Sequence, residues 1–573
     1  MAELPEDFLP ETAAEAILVR LKQHDIDYLF ANAGTDFAPV IEIYSKNQQA
    51  DLPIPAPIIA PHETAAVAMA HGYYLATGKP QAVMVHVNVG LANALMGIIN
   101  AASDNIPIFL MAGRTPATEG ARLGARSLPI HWGQDMRDQS AIVREFVKWE
   151  YELKLPEQAT DLVDRGYAIA MSQPRGPIYL GLPREALGET WPDDVPFGPP
   201  RHAVSSPPAP DPDTFALIVE EIKAAKNPVI IAQRGDPEGR LADALASFSE
   251  SFAVPVCEFW PSGNVLPTDH AMHMGFDPGL LLEEADLVIV LDALVPWLEA
   301  WAKPDPAAKI IQIGADPLFS RVPVRGFRST INLTSDPAAA VIALDKALAE
   351  GKGAFARNIN ERHADLSKRS QARLEEAAQK ATIGEGSVMT AAFVSKTLSD
   401  CLPDDARVFS ELGCDPSFMR FSAGNRYHSH ALAGGLGWGM PAALGASLAD
   451  RSRLTVACVG DGSYMFANPV ACHQIAEAHD LPLLTVVFNN GVWNAVRKTT
   501  LMMYPDGHAS RTNAVPMSSL APVPDFAMVA AASRGWSCRV ENGSELARAI
   551  TQAIEVVTRE KRQALLEVVV SEN

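Results

Sequence analysis

Two short polar segments follow apolar runs in the last third of the chain. Gly460-Asp461-Gly462 ends the run LTVACV, and Asn489-Asn490-Gly491 ends the run LPLLTVVF. If the runs are parallel strands, their carboxyl ends present Asp461 and Asn490 at one edge of a sheet, where α/β proteins bind ligands. A carboxylate, an amide oxygen and a backbone carbonyl are hard donors that suit Mg²⁺, and glycines let phosphate approach the backbone. The segments therefore predict a site for a metal and a diphosphate.

Two other interpretations apply to the first segment. A nicotinamide-binding loop is excluded because GDGSYM carries Met465 in place of the third glycine of GxGxxG. A simple strand-to-helix turn stays open on this segment alone. Between the two strands the pattern predicts one helix from about Asn468 to His479.

Strand and helix patterns alternate throughout the chain, which predicts an α/β protein of three domains, each a mostly parallel sheet with helices on both faces. The predicted divisions are an N-terminal domain (1–190), a stiff, exposed, proline-rich linker (191–212), a central domain (213–350), a helical linker (351–384) and a C-terminal domain (385–573).

Composition limits the kinds of partner. The 573 residues carry a net charge of −21, which argues against nucleic acid or an anionic membrane. The six cysteines include no CxxC pair, and no run of about 18 apolar residues occurs. We expect a soluble, cytoplasmic protein with reduced thiols.

The GDG and NN segments resemble those of the thiamine-diphosphate-dependent 2-oxo acid decarboxylase and acetolactate synthase superfamily. That resemblance implies that Asp461, Asn490 and the carbonyl of Val492 hold Mg²⁺, and that the cofactor also contacts Gly460, Gly462, Ser463 and Trp493. The interval between the two segments is about two residues longer here than is usual in that superfamily.

Two further segments extend the resemblance. PHETAAVAMAHGYYLATGKP places Glu63 at the start of a small-residue helix, and Gly434-Gly435-Leu436-Gly437 matches the loop that precedes the metal motif. By resemblance Glu63 shares a proton with the aminopyrimidine N1′, the Gly434 carbonyl accepts a hydrogen bond from the 4′-amino group, and Leu436 bends the cofactor so that a C2 ylid forms. The ordinary alternative for Glu63 is a favourable charge at a helix start. His62 is interpreted as structural.

The nearest pattern is that of benzoylformate decarboxylase. It implies an active-site role for His86, in the strand-like VMVHV, and for His270, in PTDHAMHMG, as proton shuttles. The alternatives are a core histidine and a turn cap, respectively. Thr35 lies where relatives place a polar residue near the substrate carboxylate. Asp36 could instead cap the helix that follows, and Gln134 is expected to face the site.

The remaining expectations concern the substrate and the assembly. Trp493 and residues 501–526 are expected to close over an apolar acyl pocket, with an exposed surface loop as the alternative. FAD is disfavoured, because MGFDPG and LDALVPWLEAW do not match the flavin-binding segments of acetolactate synthases. The resemblance implies a homodimer or homotetramer, since Glu63 and Asp461 meet across a subunit interface in that superfamily.

The predicted activity is a lyase that cleaves or forms a carbon–carbon bond next to a carbonyl, on small 2-oxo acids or aldehydes. An acetolactate synthase-like transferase is the first alternative. A catalytically silent subunit is the second, and the presence of Glu63, Asp461 and Asn490 argues against it.

Overall fold

The computed structural model describes residues 8–350, 356–383 and 387–571. Its contacts divide the chain into two compact units, Met1–Ser206 with Ala431–Ala449, and Pro207–His430 with Asp450–Asn573. The predicted boundaries at 350/351 and 384/385 lie outside the described residues. No helix within those three described stretches is both long and apolar enough to cross a membrane.

The helices are α1 Ala13–Gln23, α2 Ala38–Ala50, α3 Glu63–Thr77, α4 Val87–Ser103, α5 Ile130–Gly133, α6 Ala159–Met171, α7 Arg184–Gly188, α8 Pro212–Ala224, α9 Arg240–Phe252, α10 Gly279–Glu284, α11 Pro337–Glu350, α12 Ala356–Lys380, α13 Ala391–Cys401, α14 Gly439–Ala449, α15 Asp461–Phe466, α16 Pro469–Ala478, α17 Asn494–Met503, α18 His508–Thr512, α19 Phe526–Ala531 and α20 Gly543–Thr558. The strands are β1 Tyr28–Asn32, β2 Ala56–Ile59, β3 Gln81–Val85, β4 Ile108–Arg114, β5 Glu150–Glu152, β6 Ile178–Pro183, β7 Pro228–Ala232, β8 Val256–Glu258, β9 Leu287–Leu291, β10 Lys309–Gly314, β11 Ile331–Thr334, β12 Arg407–Glu411, β13 Tyr427–Ser429, β14 Thr455–Gly460, β15 Leu484–Asn489, β16 Trp536–Val540 and β17 Ala564–Val569.

Three parallel sheets form the framework, as the alternating pattern predicts. The N-terminal sheet has the order β2-β1-β3-β4-β6-β5, the central sheet β11-β10-β9-β7-β8, and the C-terminal sheet β13-β12-β14-β15-β17-β16. Their inner strands are almost continuously apolar and buried, as expected of parallel strands covered by helices on both faces. The N-terminal and C-terminal sheets share one strand order.

The first unit contains the N-terminal sheet together with α14. Glycines allow α14 to approach α3 closely, because a Cβ on Gly72 would lie 1.8 Å from the Ala442 carbonyl oxygen and one on Gly445 would lie 1.9 Å from the Met69 carbonyl oxygen. The loop Gly434–Gly437, which precedes α14, therefore belongs to the same unit as Glu63.

Two local expectations differ from the structure in detail. The helix expected from about Asn468 to His479 is confirmed as α16, but the short helix α15 before it was not predicted, and Asn468 in a left-handed conformation (φ 52°) separates the two. The proline-rich linker is not exposed throughout, because Trp191 and Phe197 in its first half are buried in the N-terminal core.

Candidate active site

Asp461 and Asn490 lie at the carboxyl ends of the neighbouring strands β14 and β15, as predicted. The Asp461 side chain is 4% exposed. Its Oδ1 accepts the N–H of Gly462 at 2.7 Å, and its Oδ2 accepts those of Asn490 at 3.1 Å and Gly491 at 2.7 Å. Burial raises the pKa of Asp461, although the three backbone donors oppose that rise. A cation at this carboxylate would offset the cost of its burial.

The structure distinguishes the two asparagines of the NN segment. Asn489 is buried, and its Nδ2 donates to Glu567 Oε1 at 2.7 Å inside the sheet. Asn490 is half-buried, and its Oδ1 accepts the N–H of Val492 at 3.0 Å, which bends the chain sharply after β15. Asn490 is therefore the asparagine available at the strand edge.

The residues at this edge fit a metal-bound diphosphate. Ser463 Oγ is buried and has no hydrogen-bond partner in the described part of the chain. Gly462 packs against Trp493, since a Cβ on the glycine would lie 2.8 Å from the indole Cδ1. No group of three or more His, Cys, Asp or Glu side chains among the described residues could hold a metal. A metal here would thus be bound by one carboxylate with amide and carbonyl oxygens, the donors that Mg²⁺ accepts.

A cavity of about 300 Å³ lies in the second unit, at the carboxyl end of β12. Its lining includes Leu412, whose backbone bridges to Val459 of β14, one residue before the GDG segment. Aromatic side chains from the central domain complete it, among them Trp260 and Phe276. The cavity therefore adjoins the edge that carries Asp461.

Glu63 is the first residue of α3, as predicted, and is 7% exposed. His62 has the structural role expected of it, because its Nδ1 accepts the Thr64 N–H and caps the helix. Asn93 Nδ2 donates to Glu63 Oε2 at 3.2 Å. Gly90 leaves room for the carboxylate, since a Cβ there would lie 3.2 Å from Oε1. Glu63 is thus held in one place by α4.

The loop Gly434–Gly437 is held by Asn100, a residue that the sequence analysis missed. Its Nδ2 donates to the Gly435 carbonyl at 2.8 Å, and its Oδ1 accepts the Gly435 N–H at 3.1 Å. A Cβ on Gly435 would lie 2.4 Å from Met96 Sδ. Gly434 and Gly437 have φ values of 70° and 92°, which favour glycine. Leu436, between them, is half-buried.

His86 follows β3 and precedes α4, rather than lying within the strand as predicted. Its Nδ1 is 2.5 Å from Asp36 Oδ1, and Asp36 Oδ2 accepts the Val87 N–H at 3.1 Å. The hydrogen bond with Asp36 raises the pKa of His86, against the opposing effect of burial. Gln134 Nε2 lies 3.3 Å from His86 Nε2, so Gln134 contacts the histidine as expected.

The surrounding backbone makes room for this pair. A Cβ on Gly34 would lie 2.1 Å from His86 Nδ1, and one on Gly113 would lie 1.6 Å from Asp36 Oδ2. Val87 has φ 32°, a strained value for a β-branched residue. Backbone strain of this kind is concentrated at functional sites. The backbone at this edge of the N-terminal sheet is therefore shaped to hold the Asp36–His86 pair.

The structure contradicts one expectation about Asp36 and leaves one about Thr35 as a prediction. The possibility that Asp36 caps the following helix is wrong, because α2 has no side-chain cap and the carboxylate turns to α4 instead. Thr35 is exposed, in a short 3₁₀ turn beside Asp36, and its carbonyl accepts from Arg184 at 3.3 Å. Its proposed substrate contact stays a prediction.

His270 caps a turn, which is the structural alternative considered for it. Its Nδ1 accepts the Met272 N–H at 3.1 Å, so the ring caps a turn, and its Nε2 lies 3.9 Å from Glu250. Burial lowers the pKa of His270. Because Nδ1 caps this turn and Nε2 faces Glu250, we leave His270 out of the proposed catalytic set.

One helix connects three of these features. His86, Asn93 and Asn100 stand at intervals of seven residues, and His86 caps α4 while both asparagines lie on it. Seven residues are nearly two helical turns, so the three side chains leave one face in succession. They contact Asp36, Glu63 and Gly435, respectively. The seven-residue spacing was visible in the sequence, but the partners were not.

The fold and these contacts define an α/β enzyme framework with one edge suited to a metal-bound diphosphate and another that holds a histidine–carboxylate pair. Three family models match the chain: the thiamine pyrophosphate enzyme N-terminal TPP binding domain over residues 11–142, the central domain over 215–343 and the C-terminal TPP binding domain over 411–568. The chain belongs to the thiamine-pyrophosphate-dependent enzymes, which confirms the predicted superfamily.

Proteins similar to this chain match it over most of its length. The chain is 26% identical to a probable 2-ketoarginine decarboxylase of Pseudomonas aeruginosa, over 93% of this chain and 90% of that protein. It is 27% identical to benzoylformate decarboxylase of the same species, over 83% and 85%. A solved structure of 4-hydroxybenzoylformate decarboxylase from Rhodococcus jostii RHA1 matches with a TM-score of 0.77 and 21% identity, over 98% and 99% of the two chains. That likeness confirms the fold class.

Proposed function

We propose that this protein is a thiamine-diphosphate- and Mg²⁺-dependent lyase that decarboxylates a 2-oxo acid, or joins the resulting acyl unit to an aldehyde. The observation that carries the proposal is the pair formed by the buried Asp36 and the half-buried His86, which lies where the strand order of the N-terminal sheet reverses between β1 and β3. A histidine with a raised pKa at such a point suits proton transfer near neutral pH. Two of the similar proteins described above are named as decarboxylases of 2-oxo acids.

Cofactor binding is assigned to the C-terminal sheet and to the loop before α14. Asp461, Asn490 and the carbonyl of Val492 would hold Mg²⁺, with Ser463 and the glycines of the GDG segment beside the diphosphate. When bound, the coenzyme supplies a nucleophilic carbon and an electron sink for the substrate carbonyl. The loop from Gly434 to Gly437 would support the ring system, and Trp493 would border it.

The chain's own groups then perform the proton transfers. Glu63 holds a proton at the pyrimidine nitrogen, and Asn93 fixes the carboxylate that does so. Asp36 orients His86 through Nδ1, which leaves Nε2 to exchange a proton with the reacting oxygen or carbon. Gln134 can donate to that nitrogen when it is unprotonated. In this assignment His86 and Glu63 are catalytic, whereas Asp36, Asn93 and Gln134 are positioning residues.

We assign the complete site to a pair of subunits. Glu63 and His86 belong to the first unit of the chain, whereas Asp461 and Asn490 belong to the second. The proposal is that the first unit of one copy completes the cofactor site of another, in a homodimer or a homotetramer. Analytical ultracentrifugation with and without cofactor tests it, and an active monomer would contradict it.

The alternative is a transferase that passes the acyl unit to a second 2-oxo acid, as in acetolactate synthases. The histidine–carboxylate pair favours the lyase. It would supply a proton to the reacting acyl unit, whereas a transferase needs a second 2-oxo acid at that position. A silent subunit is disfavoured by the buried and positioned Glu63.

A panel of 2-oxo acids with and without aldehyde acceptors tests the proposal. The panel should include benzoylformate, 5-guanidino-2-oxopentanoate and pyruvate, with CO₂ release and product mass as readouts. Cofactor-dependent CO₂ release that His86→Ala reduces about a hundredfold is the expected result. Acetolactate as the main product from pyruvate would support the transferase, and no turnover on any acid despite full cofactor binding would support the silent subunit.

A further inference from the structure

Three arginines lie at the amino ends of three adjacent strands. Arg407 starts β12, Arg426 directly precedes β13, and Arg453 lies two residues before β14. Arg407 is the first residue of β12, and its N–H donates to the Leu454 carbonyl at 3.0 Å, one residue after Arg453. On the other side the Arg426 carbonyl accepts the Val408 N–H at 2.8 Å. The three residues therefore start from neighbouring backbone positions. Their sheet edge is opposite to the one that carries Asp461 and Asn490.

Several donors in this cluster lack acceptors, although Arg426 Nη1 donates to the Asp405 carbonyl at 3.4 Å. Arg407 is 7% exposed, and its Nε and Nη1 are buried with no hydrogen-bond partner in the described residues. The same is true of Arg426 Nε and of Thr455 Oγ1. Thr455 pairs with Arg407 in the register of β12 and β14, so the two side chains leave the same face of the sheet. The described residues thus leave four buried polar atoms without a partner at three adjacent strands.

The local charge is also only partly compensated. Burial lowers the pKa of Arg407 to about 10, and repulsion from Arg453 and Arg426 adds to that effect. Asp450 is the acid that attracts Arg407, but its Oδ1 accepts from Ser452 and its Oδ2 lies 3.8 Å from Arg453 Nε. A buried cation without a partner is strongly unfavourable, and a guanidinium stays protonated at neutral pH. Asp405 attracts Arg426, so three guanidinium groups stand against two nearby carboxylates and part of the positive charge stays unneutralised.

We propose that Arg407, Arg426 and Thr455, with Arg453 beside them, form a binding site for a tetrahedral oxyanion, either free phosphate or sulfate or the phosphate group of a metabolite. Such an anion offers several acceptor oxygens to guanidinium and hydroxyl donors at once. The chain's net charge of −21 repels anions in general, so occupancy depends on these local donors. The site lies about 16 Å from the GDG segment along β14 and does not rest on the proposed function.

Isothermal titration calorimetry of the full-length holoenzyme, saturated with thiamine diphosphate and Mg²⁺, tests the site with inorganic phosphate at constant ionic strength. We expect saturable binding of one phosphate per chain and a rise in Tm with phosphate. Arg407→Gln should weaken the binding at least about tenfold, equal to about 1.4 kcal/mol. Arg559→Gln is the matched control, because Arg559 is exposed at the end of α20 and pairs with Glu555, and it should bind as the parent does.

Further variants separate the alternatives. If Arg407→Gln does not fold, Arg426→Gln and Thr455→Val should each weaken phosphate binding, and unchanged binding in both would overturn the proposal. Because Asp461→Ala is expected to lose the cofactor, this variant is titrated without it; phosphate binding that survives there supports this site, whereas its loss would assign the phosphate to the coenzyme edge instead. Stronger binding of a sugar monophosphate than of phosphate would identify a metabolite. If neither phosphate nor the sugar monophosphate binds saturably, or if Arg407→Gln binds phosphate as tightly as the parent, any bound anion is an adventitious ion only and the proposal is overturned.

Discussion

The N-terminal and C-terminal sheets are built on the same strand order but prepare different chemistry. In each, the third strand in chain order lies beside the first and the fourth, and the segment after it carries the candidate site residues. In the C-terminal sheet that strand is β14, which is followed by Asp461. In the N-terminal sheet it is β3, which is followed by His86.

The difference lies in which neighbour the residue contacts. Asp461 turns toward the end of β15 and accepts the N–H groups of Asn490 and Gly491. His86 turns toward the segment after β1 and pairs with Asp36. One edge therefore holds a buried carboxylate that accepts backbone N–H groups, and the other holds an ionisable nitrogen beside a carboxylate. The shared topology fixes the place, and in the proposed function the residue after the third strand would decide between cation binding and proton transfer.

The comparison predicts that the C-terminal edge is required for cofactor retention. Asp461→Ala should abolish metal-dependent binding of thiamine diphosphate and reduce activity by at least about a thousandfold, because the carboxylate is the one charged ligand proposed for the cation. Cofactor content after gel filtration, measured by absorbance and metal analysis, gives the readout. Asp480→Asn, an exposed loop aspartate between α16 and β15, is the control. A variant that keeps a full complement of cofactor would refute the assignment.

The N-terminal edge should affect turnover without affecting retention. Glu63→Gln is expected to keep the fold and the cofactor and to lose activity by about a hundredfold or more, because an amide cannot share the proton that a carboxylate holds. Steady-state rates and cofactor titration, measured on the same preparation, separate the two effects. Glu42→Gln, on the exposed face of α2, should be silent. Undiminished turnover in Glu63→Gln would remove this residue from the mechanism.

The charge of Asp36 should set the pH range of the reaction. Its hydrogen bond raises the pKa of His86, so the protonated imidazole persists to higher pH in the native enzyme. In Asp36→Asn that support is lost and the pKa falls. The limb on which kcat/KM decreases with rising pH should therefore move to lower pH, with a loss of about tenfold at neutral pH.

The shape of the profile is the decisive measurement, because a purely structural defect would lower the rate at every pH equally. Asp51→Asn provides a control, since Asp51 is exposed at the end of α2 in a left-handed conformation that asparagine tolerates. An unshifted limb in Asp36→Asn would show that His86 does not carry the titrating proton.

The sequence predicted features that depend on neighbours in the chain. Asp461 and Asn490 follow apolar strands directly, and Glu63 starts its helix beside its cap, so local pattern was enough. Asp36 and His86 are 50 residues apart, and their contact depends on the space left by Gly34 and Gly113. Packing between distant segments of this kind has no local sequence signal.

The same reason explains the other differences. The short helix α15 was not predicted, and its separation from α16 depends on the left-handed conformation of Asn468, which asparagine adopts only in some contexts. In the proline-rich segment, Trp191 and Phe197 bury enough apolar surface to hold the first half against the N-terminal core.

The smallest effect is expected at the residue that joins the loop before α14 to the N-terminal helices. Asn100 lies 335 residues from Gly435 in sequence and makes two hydrogen bonds to its backbone. Asn100→Ala should destabilise the loop by about 1–3 kcal/mol and weaken thiamine diphosphate binding by up to about tenfold, while metal binding at Asp461 is unaffected. Calorimetric titration of cofactor and metal, with the exposed Asn332→Ala as control, measures both.

Asn100→Asp sharpens that result. An aspartate keeps the acceptor for the Gly435 N–H and loses the donor to the Gly435 carbonyl, and it places a negative charge beside that carbonyl. If the loop carries the cofactor ring, this variant should bind the coenzyme more weakly than Asn100→Ala does, and an excess of Mg²⁺ should not rescue it. Rescue by Mg²⁺ would move the effect to the C-terminal edge, and the separation of roles between the two sheets would then be wrong.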